Sequence, residues 1–101
     1  MTDYKLRKGK RVIMPDADTL AAAITALPAG IHTDLAKVRS EIAQQHDADQ
    51  CCPVTVQRLL VTFSETGEVP YWRVVDPERP FARRLVGGGE RVREMLARER
   101  A

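Results

Sequence analysis

The chain has 101 residues, 44% of them hydrophobic and 30% charged, with a formal net charge of +2; this suits one domain with a modest core and is too short for two. No apolar run approaches the roughly 20 residues needed to span a bilayer, so a membrane-spanning role is not expected. The opening residues lack the apolar stretch of a secretory signal, which leads to the expectation of a reducing, cytoplasmic setting without disulfide stapling.

The small total charge hides a division along the chain. Residues 1–15 hold Lys5, Arg7, Lys8, Lys10 and Arg11 against one acid, for +4, while residues 16–50 sum to −4 and residues 51–101 to +2. Residues 1–15 therefore read as a basic arm, either a phosphate contact or a plain solubilising tail, ahead of a single domain over 16–101. A pI near 8.7 permits nucleic acid without requiring it.

The segment RVIMP, residues 11–15, reads as a short extended piece. Asp16 or Asp18 can then cap a first helix whose apolar positions Leu20, Ala23, Ile24 and Leu27 follow the i, i+3, i+4, i+7 pattern, and Pro28 and Gly30 end it in a turn. Thr33 or Asp34 can start a second helix with a stripe of Leu35, Val38 and Ile42. After the polar QQHDADQ comes a third, opened by Pro53 and patterned by Val56, Leu59, Leu60 and Phe63.

Beyond Gly67 the period changes. PYWRVV, residues 70–75, is rich in strand-forming types, and DPERP reads as a turn, so a short hairpin or irregular wing is expected there. After Gly87, Gly88 and Gly89 a closing helix follows, with Val92, Met95 and Leu96 inward and Glu94 and Arg98 paired at i, i+4. The fold class expected is mainly α with a small β wing, a winged helix-turn-helix type of module.

In such a module the third helix lies across nucleic acid, and Thr55, Arg58 and Thr62 share its outer stripe; an ordinary solvated face is the alternative. Arg79, Arg83 and Arg84 crowd a stretch that holds no acid, a local concentration suited to phosphate. Cys51 and Cys52 are adjacent, and His32 and His46 are wrongly spaced to complete a zinc site with them, so neither metal nor cofactor is expected. A buried structural role for the two thiols is commoner than a nucleophilic one. The glycine triplet lacks the context of a phosphate-binding fingerprint and suits a close backbone approach instead.

Taken in order, LPAGIHT (residues 27–33), PYWRVV (70–75) and LVGGGERVREML (85–96) resemble the DNA-binding domain of the alkylguanine DNA alkyltransferases and the non-enzymatic alkyltransferase-like proteins, over about three quarters of the chain. Those families carry a Pro-x-Gly-x-x-Thr opening, a Pro-Cys-His-Arg-Val active-site stretch, and a Gly-Gly segment followed by Glu-Arg and a Leu-rich helix. By this resemblance Pro70, Arg73 and Val74 match the active-site stretch, Gly87 and Gly88 match the glycine pair, and Glu99 falls where the relay acid lies. Tyr71 stands at the alkyl-accepting Cys and Trp72 at the His that activates it. A phenol and an indole cannot carry out thiolate transfer at neutral pH, so no alkyl transfer is implied.

What the resemblance implies instead is a non-enzymatic, monomeric DNA-binding protein. Alkyltransferase-like proteins bind alkylated bases without removing the lesion, which would make Tyr71, Trp72, Gly87 and Gly88 the pocket of a flipped base. Thr55, Arg58, Thr62, Arg73, Arg83 and Arg84 would contact duplex DNA, with the third helix in the minor groove. The chain departs from the family at Val54, where an Arg fills the gap left by the base, and at Leu35, where a Tyr rotates it. It is also similar to an uncharacterised bacterial branch sharing PYWRVV, from which no activity carries over. Two other readings compete: a winged-helix protein-interaction module with Tyr71 and Trp72 as anchors, and an enzyme using Cys51 or Cys52.

Overall fold

The computed structural model describes residues 3–101 as four helices and a small three-stranded sheet. Strands β1 (Asp3–Arg7) and β2 (Lys10–Met14) form an antiparallel hairpin, and β3 (Gln50–Cys51) lies parallel to β2 with Val12 opposite Gln50 and Ile13 opposite Cys51. Within the basic arm, residues 3–14 thus form a β-hairpin; residues 1 and 2 lie outside the described residues. The hairpin's inner half belongs to the domain, because Val12 and Ile13 are buried in the core, while every residue of β1 is exposed.

The first two helices begin where an aspartate meets an unpaired N–H group, the third on a proline that has none to leave unpaired, and the fourth on the left-handed Gly87. The Asp16 carboxylate accepts from the Thr19 N–H at 2.8 Å to open α1 (Ala17–Thr25), and Asp34 accepts from Ala36 at 2.9 Å to open α2 (Leu35–Gln45). Helix α3 (Pro53–Thr66) starts on Pro53, whose missing N–H costs nothing in the first turn. It ends at Gly67, where a φ of 73° is open to glycine and the N–H bonds Phe63 O at 2.9 Å. The centres of the expected stripes are buried, namely Leu20 and Ile24 on α1, Val38 and Ile42 on α2, Val56, Leu60 and Phe63 on α3, Val92 and Leu96 on α4 (Gly88–Arg100), while Ala23, Leu27, Leu35, Leu59 and Met95 are partly buried against the core.

Residues 71–75 do not form a strand. Tyr71–Val74 is a short 3₁₀ turn and Pro80–Arg84 a second one, so the expected wing between α3 and α4 is replaced by two tight turns. The β-branched and aromatic types that suggested a strand are there because the segment is core: Tyr71, Trp72, Val74 and Val75 are all buried. A two-faced burial of this kind suits a turn threaded between helices as well as it suits a strand.

Two backbone contacts tie the C-terminal helix down. Gly30, at a φ of 76°, donates its N–H to Glu99 Oε1 at 2.9 Å, and its carbonyl accepts from Arg100 Nε at 2.6 Å. At the other end of α4, Gly89 lies so close to Pro77 that a Cβ would sit 2.4 Å from the Pro77 carbonyl oxygen. The glycine triplet therefore serves the close backbone approach expected of it.

Candidate nucleic-acid interface

Helix α3 presents Arg58 and Thr62 to solvent and Thr55 half-buried, as the outer stripe requires. The Thr62 hydroxyl donates to the Arg58 carbonyl at 3.3 Å, one turn back, which leaves the guanidinium as the projecting polar group. The second 3₁₀ turn is tied to this helix just beyond its own end. Val86 N–H donates to Ser64 Oγ of α3 at 3.1 Å, and Ser64 in turn donates to Val61 O at 2.6 Å. This buried serine joins the arginine-rich turn to the last turns of α3.

A cleft of about 680 Å³ near this turn is lined by Gln57 of α3, Leu35 of α2, His32, Phe81 and three charged residues, Asp34, Asp76 and Arg79; Arg58, Arg83 and Arg84 lie outside it. Arg83 and Arg84 are exposed, and Arg84 lies over the Phe81 ring at 5.4 Å from its centroid. Among the described residues Arg58, Arg83 and Arg84 form no ion pair, and Arg79 meets Asp76 only at 3.8 Å. Phe81 and His32 were not singled out in the sequence for this position. The signal for Phe81 was its place inside the cation run.

Three expected site residues lie elsewhere in function. Tyr71 and Trp72 are 2% and 7% exposed and pack edge to face, with centroids 5.3 Å apart and planes at 74°. Two rings in the core offer no free face to a base, so the pocket expected at Tyr71 and Trp72 is corrected to a core contact. Arg73 is likewise not a phosphate contact. Its Nη2 meets Glu99 Oε2 at 2.6 Å, and its Nη1 donates to the Leu27 and Thr25 carbonyls at 3.1 and 3.3 Å, so its donors are spent inside the molecule.

Gly87 and Gly88 have φ of 83° and 60° and make the left-handed turn into α4. With Tyr71 and Trp72 buried, a base pocket shared with these glycines is corrected too, and the space where a Gly87 Cβ would stand is bounded by Arg91 at 2.6 Å.

The chain does bring Trp72 to Glu99. The indole N–H is buried without a hydrogen bond of ordinary geometry, yet it lies close enough to the carboxylate to help hold it ionised. The Glu99 carboxyl is lowered to about 2, mainly by the Arg73 guanidinium, against the opposing effect of burial, with the Gly30 N–H adding to it. Burial pushes the Tyr71 phenol up, partly offset by the charge of Arg91. No proton relay follows from this arrangement, since neither ring is a base near neutral pH.

Cys51 and Cys52 are free and buried. Burial pushes the Cys51 thiol up to about 11. For Cys52 burial acts in the same direction but is outweighed by hydrogen bonds from Thr55 and the Val54 N–H and by the charge of Lys5, so its thiol is lowered. Among the described residues no group of three His, Cys, Asp or Glu side chains could hold a metal, and no helix is long and apolar enough to cross a membrane. Comparison with protein-family models, with characterised proteins and with solved structures found no match.

Proposed function

We propose that the chain is a non-enzymatic, winged-helix-like DNA-binding module that lays the outer face of α3 and the second 3₁₀ turn against the phosphate backbone. The supporting observation is that Arg58, on α3, and Arg83 and Arg84, on the turn, are exposed and form no ion pair among the described residues, while the Val86–Ser64 hydrogen bond ties the end of the turn to α3. Exposed guanidinium groups without a carboxylate partner suit phosphate oxygens, which accept their planar forks in pairs. Reading of a flipped base by Tyr71 and Trp72 is not part of the proposal, because both rings are core. The resemblance to alkyltransferase-like proteins enters only as support for duplex DNA as the partner and the minor groove as its face.

The test is fluorescence anisotropy of a labelled duplex over a series of salt concentrations. Binding tighter than ~100 μM at low salt is expected, since even non-specific contacts reach that range. Replacing Arg58, Arg83 and Arg84 with Gln should lower the slope of log K against log salt by about 2.7, at 0.9 per phosphate contact. No binding at low salt would overturn the proposal in favour of a protein-interaction module. The observation that favours that second reading is the exposure of Val54 at 60% and Val86 at 54%, two apolar side chains open to solvent.

A further inference from the structure

The β1–β2 hairpin is the most cationic element of the molecule, and the function proposed for α3 makes no use of it. Its strand register distributes the side chains in a definite way. Residues opposite one another across the ladder share a face, and successive residues alternate. With Lys5 opposite Val12, Leu6 opposite Arg11 and Arg7 opposite Lys10, one face carries Lys5, Arg7 and Lys10 beyond the buried Val12. The other carries Tyr4, Leu6 and Arg11 beyond the buried Ile13.

Arg11 is engaged within the chain, its guanidinium 4.0 Å from the Tyr4 ring centroid and its N–H on the Asp49 carboxylate at 2.8 Å. Lys5, Arg7 and Lys10 have no ion pair among the described residues. Asp3 is the one acid on their face of the ribbon.

This distribution works against the hairpin's own stability. Arg7 and Lys10 are like charges placed directly opposite, which destabilises a ladder. The two-residue turn between them, Lys8 at φ 52° and Gly9 at φ 77°, is of the kind that favours Asn or Asp before Gly, yet a fourth cation occupies the strained position. Among the described residues no second element covers the outer half: all of β1 is exposed, and Leu6 stands 79% free. A self-repelling, unburied ribbon gains from a polyanion that neutralises it. A second copy of this chain pairing along β1 would bring further Lys and Arg together instead.

We infer that the β1–β2 ribbon is a second DNA contact, separate from α3, which tracks the phosphates of a duplex with Lys5, Arg7, Lys8 and Lys10. A two-stranded ribbon fits within the major groove, about 12 Å wide. The ribbon springs from the N-terminal end of α3: Cys52, the residue before that helix, donates its N–H to Ile13 O at 2.8 Å, and Lys5 is near enough to bias the Cys52 thiol. One duplex can therefore meet both elements. The inference rests on DNA being the partner of the α3 face and extends that reading to a clamp of two contacts.

The experiment compares the wild-type chain with a ribbon variant, Lys5→Gln with Arg7→Gln and Lys10→Gln, and with the α3 variant described above, by duplex anisotropy over the same salt series. The ribbon variant should lose about 2.7 units of salt slope and about tenfold or more in affinity at low salt, while its melting temperature equals or exceeds that of wild type. Lys5→Arg with Lys10→Arg should keep the slope. If the ribbon variant keeps the wild-type slope while the α3 variant loses it, the ribbon inference falls and the α3 reading stands. If the reverse holds, the α3 reading falls and the ribbon remains the contact. Wild-type binding to phosphatidylserine vesicles that exceeds duplex binding at equal salt, and is lost in the ribbon variant, would assign the ribbon to a membrane surface and overturn the inference. So would a dimer of the wild-type chain abolished by the same substitutions.

Discussion

The Arg73 guanidinium and the Glu99 carboxylate meet at 2.6 Å, with 13% and 15% of their side chains exposed, and together tie four segments of the chain. Arg73 reaches the α1 carbonyls of Thr25 and the following Leu27, and Glu99 reaches the Gly30 N–H. Removing one partner leaves the other charged and largely desolvated, so Glu99→Ala should cost about 3 kcal/mol. In a domain of this size that lowers the melting temperature by on the order of 15 °C.

The same pair sets an acid limb of stability. Because the folded Glu99 carboxyl titrates at about 2 against an ordinary 4.5, its contribution is complete above the unfolded value and is lost as pH falls from 4.5 toward 2. Asp16, also lowered to about 2 by its bonds to Thr19, titrates over the same range, so the comparison must be made against a Glu99→Gln variant. The stability difference between wild type and Glu99→Gln, measured by urea melts, should shrink steadily from pH 5 to pH 2.5. A difference that stays constant over that range would mean that the ion pair contributes nothing that titrates.

Tyr71 distinguishes a core ring from a ligand-facing one. Tyr71→Phe keeps the ring and its edge-to-face contact with Trp72, so both stability and duplex affinity should stay close to wild type. Tyr71→Ala opens a cavity at a site only 2% exposed and should cost about 3 to 5 kcal/mol. A loss of DNA affinity in a fully folded Tyr71→Phe protein would restore the phenol to the binding surface.

Gly89 and Gly9 separate two reasons for glycine. A Cβ at Gly89 meets the Pro77 carbonyl oxygen at 2.4 Å, whereas one at Gly9 meets nothing within 4 Å and suffers only from its φ of 77°. Gly9→Ala should therefore cost about 1 kcal/mol, the penalty of the left-handed region alone. Gly89→Ala must displace backbone and should cost clearly more, at the upper end of roughly 1–3 kcal/mol for local strain. Equal melting temperatures for the two variants would remove the Pro77 approach as a constraint.

The helices were legible because their signals are local. Asp16, Asp34 and Pro53 stand where an N-terminus needs them, and the apolar spacing of Val56, Leu60 and Phe63 admits one buried face. The segment from Tyr71 to Val75 was not legible, since aromatic and β-branched residues favour strands and also fill cores, and the choice was made by packing among residues far apart in the chain. In the arm, net charge drew attention from a second signal, the alternation of Tyr4, Lys5, Leu6 and Arg7 before a Lys-Gly turn, which marks a hairpin. Arg73 illustrates the site's limit: a cation read from sequence as a phosphate contact has its partner, Glu99, 26 residues away.

The vicinal thiols should behave unlike one another only after unfolding is excluded. Cys51, 3% exposed and with a thiol pushed up to about 11, should resist iodoacetamide in the folded protein at pH 7.5. Cys52, whose thiol is lowered by its place at the start of α3, should react first, at a rate limited by its burial. Peptide mapping after timed labelling reads the order directly. Faster labelling of Cys51 would show that burial does not govern reactivity at this turn.

The outer stripe of α3 makes the narrowest demand on the DNA reading. Arg58 projects from it, while the Thr62 hydroxyl is occupied by the Arg58 carbonyl and Thr55 is turned toward Cys52. One phosphate contact is therefore available from three stripe residues. The double variant Thr55→Ala with Arg58→Gln should lower the salt slope by about 0.9, and Thr62→Ala by nothing measurable. Arg58→Lys should keep most of the slope, since a point charge still releases a counterion, but lose affinity where the planar fork engaged two oxygens. A helix lying in the minor groove also predicts little change in affinity between duplexes of different sequence, because that groove separates A·T from G·C and little else. An unchanged slope in the double variant would take α3 out of the interface and leave the arginines of the second turn to act without it.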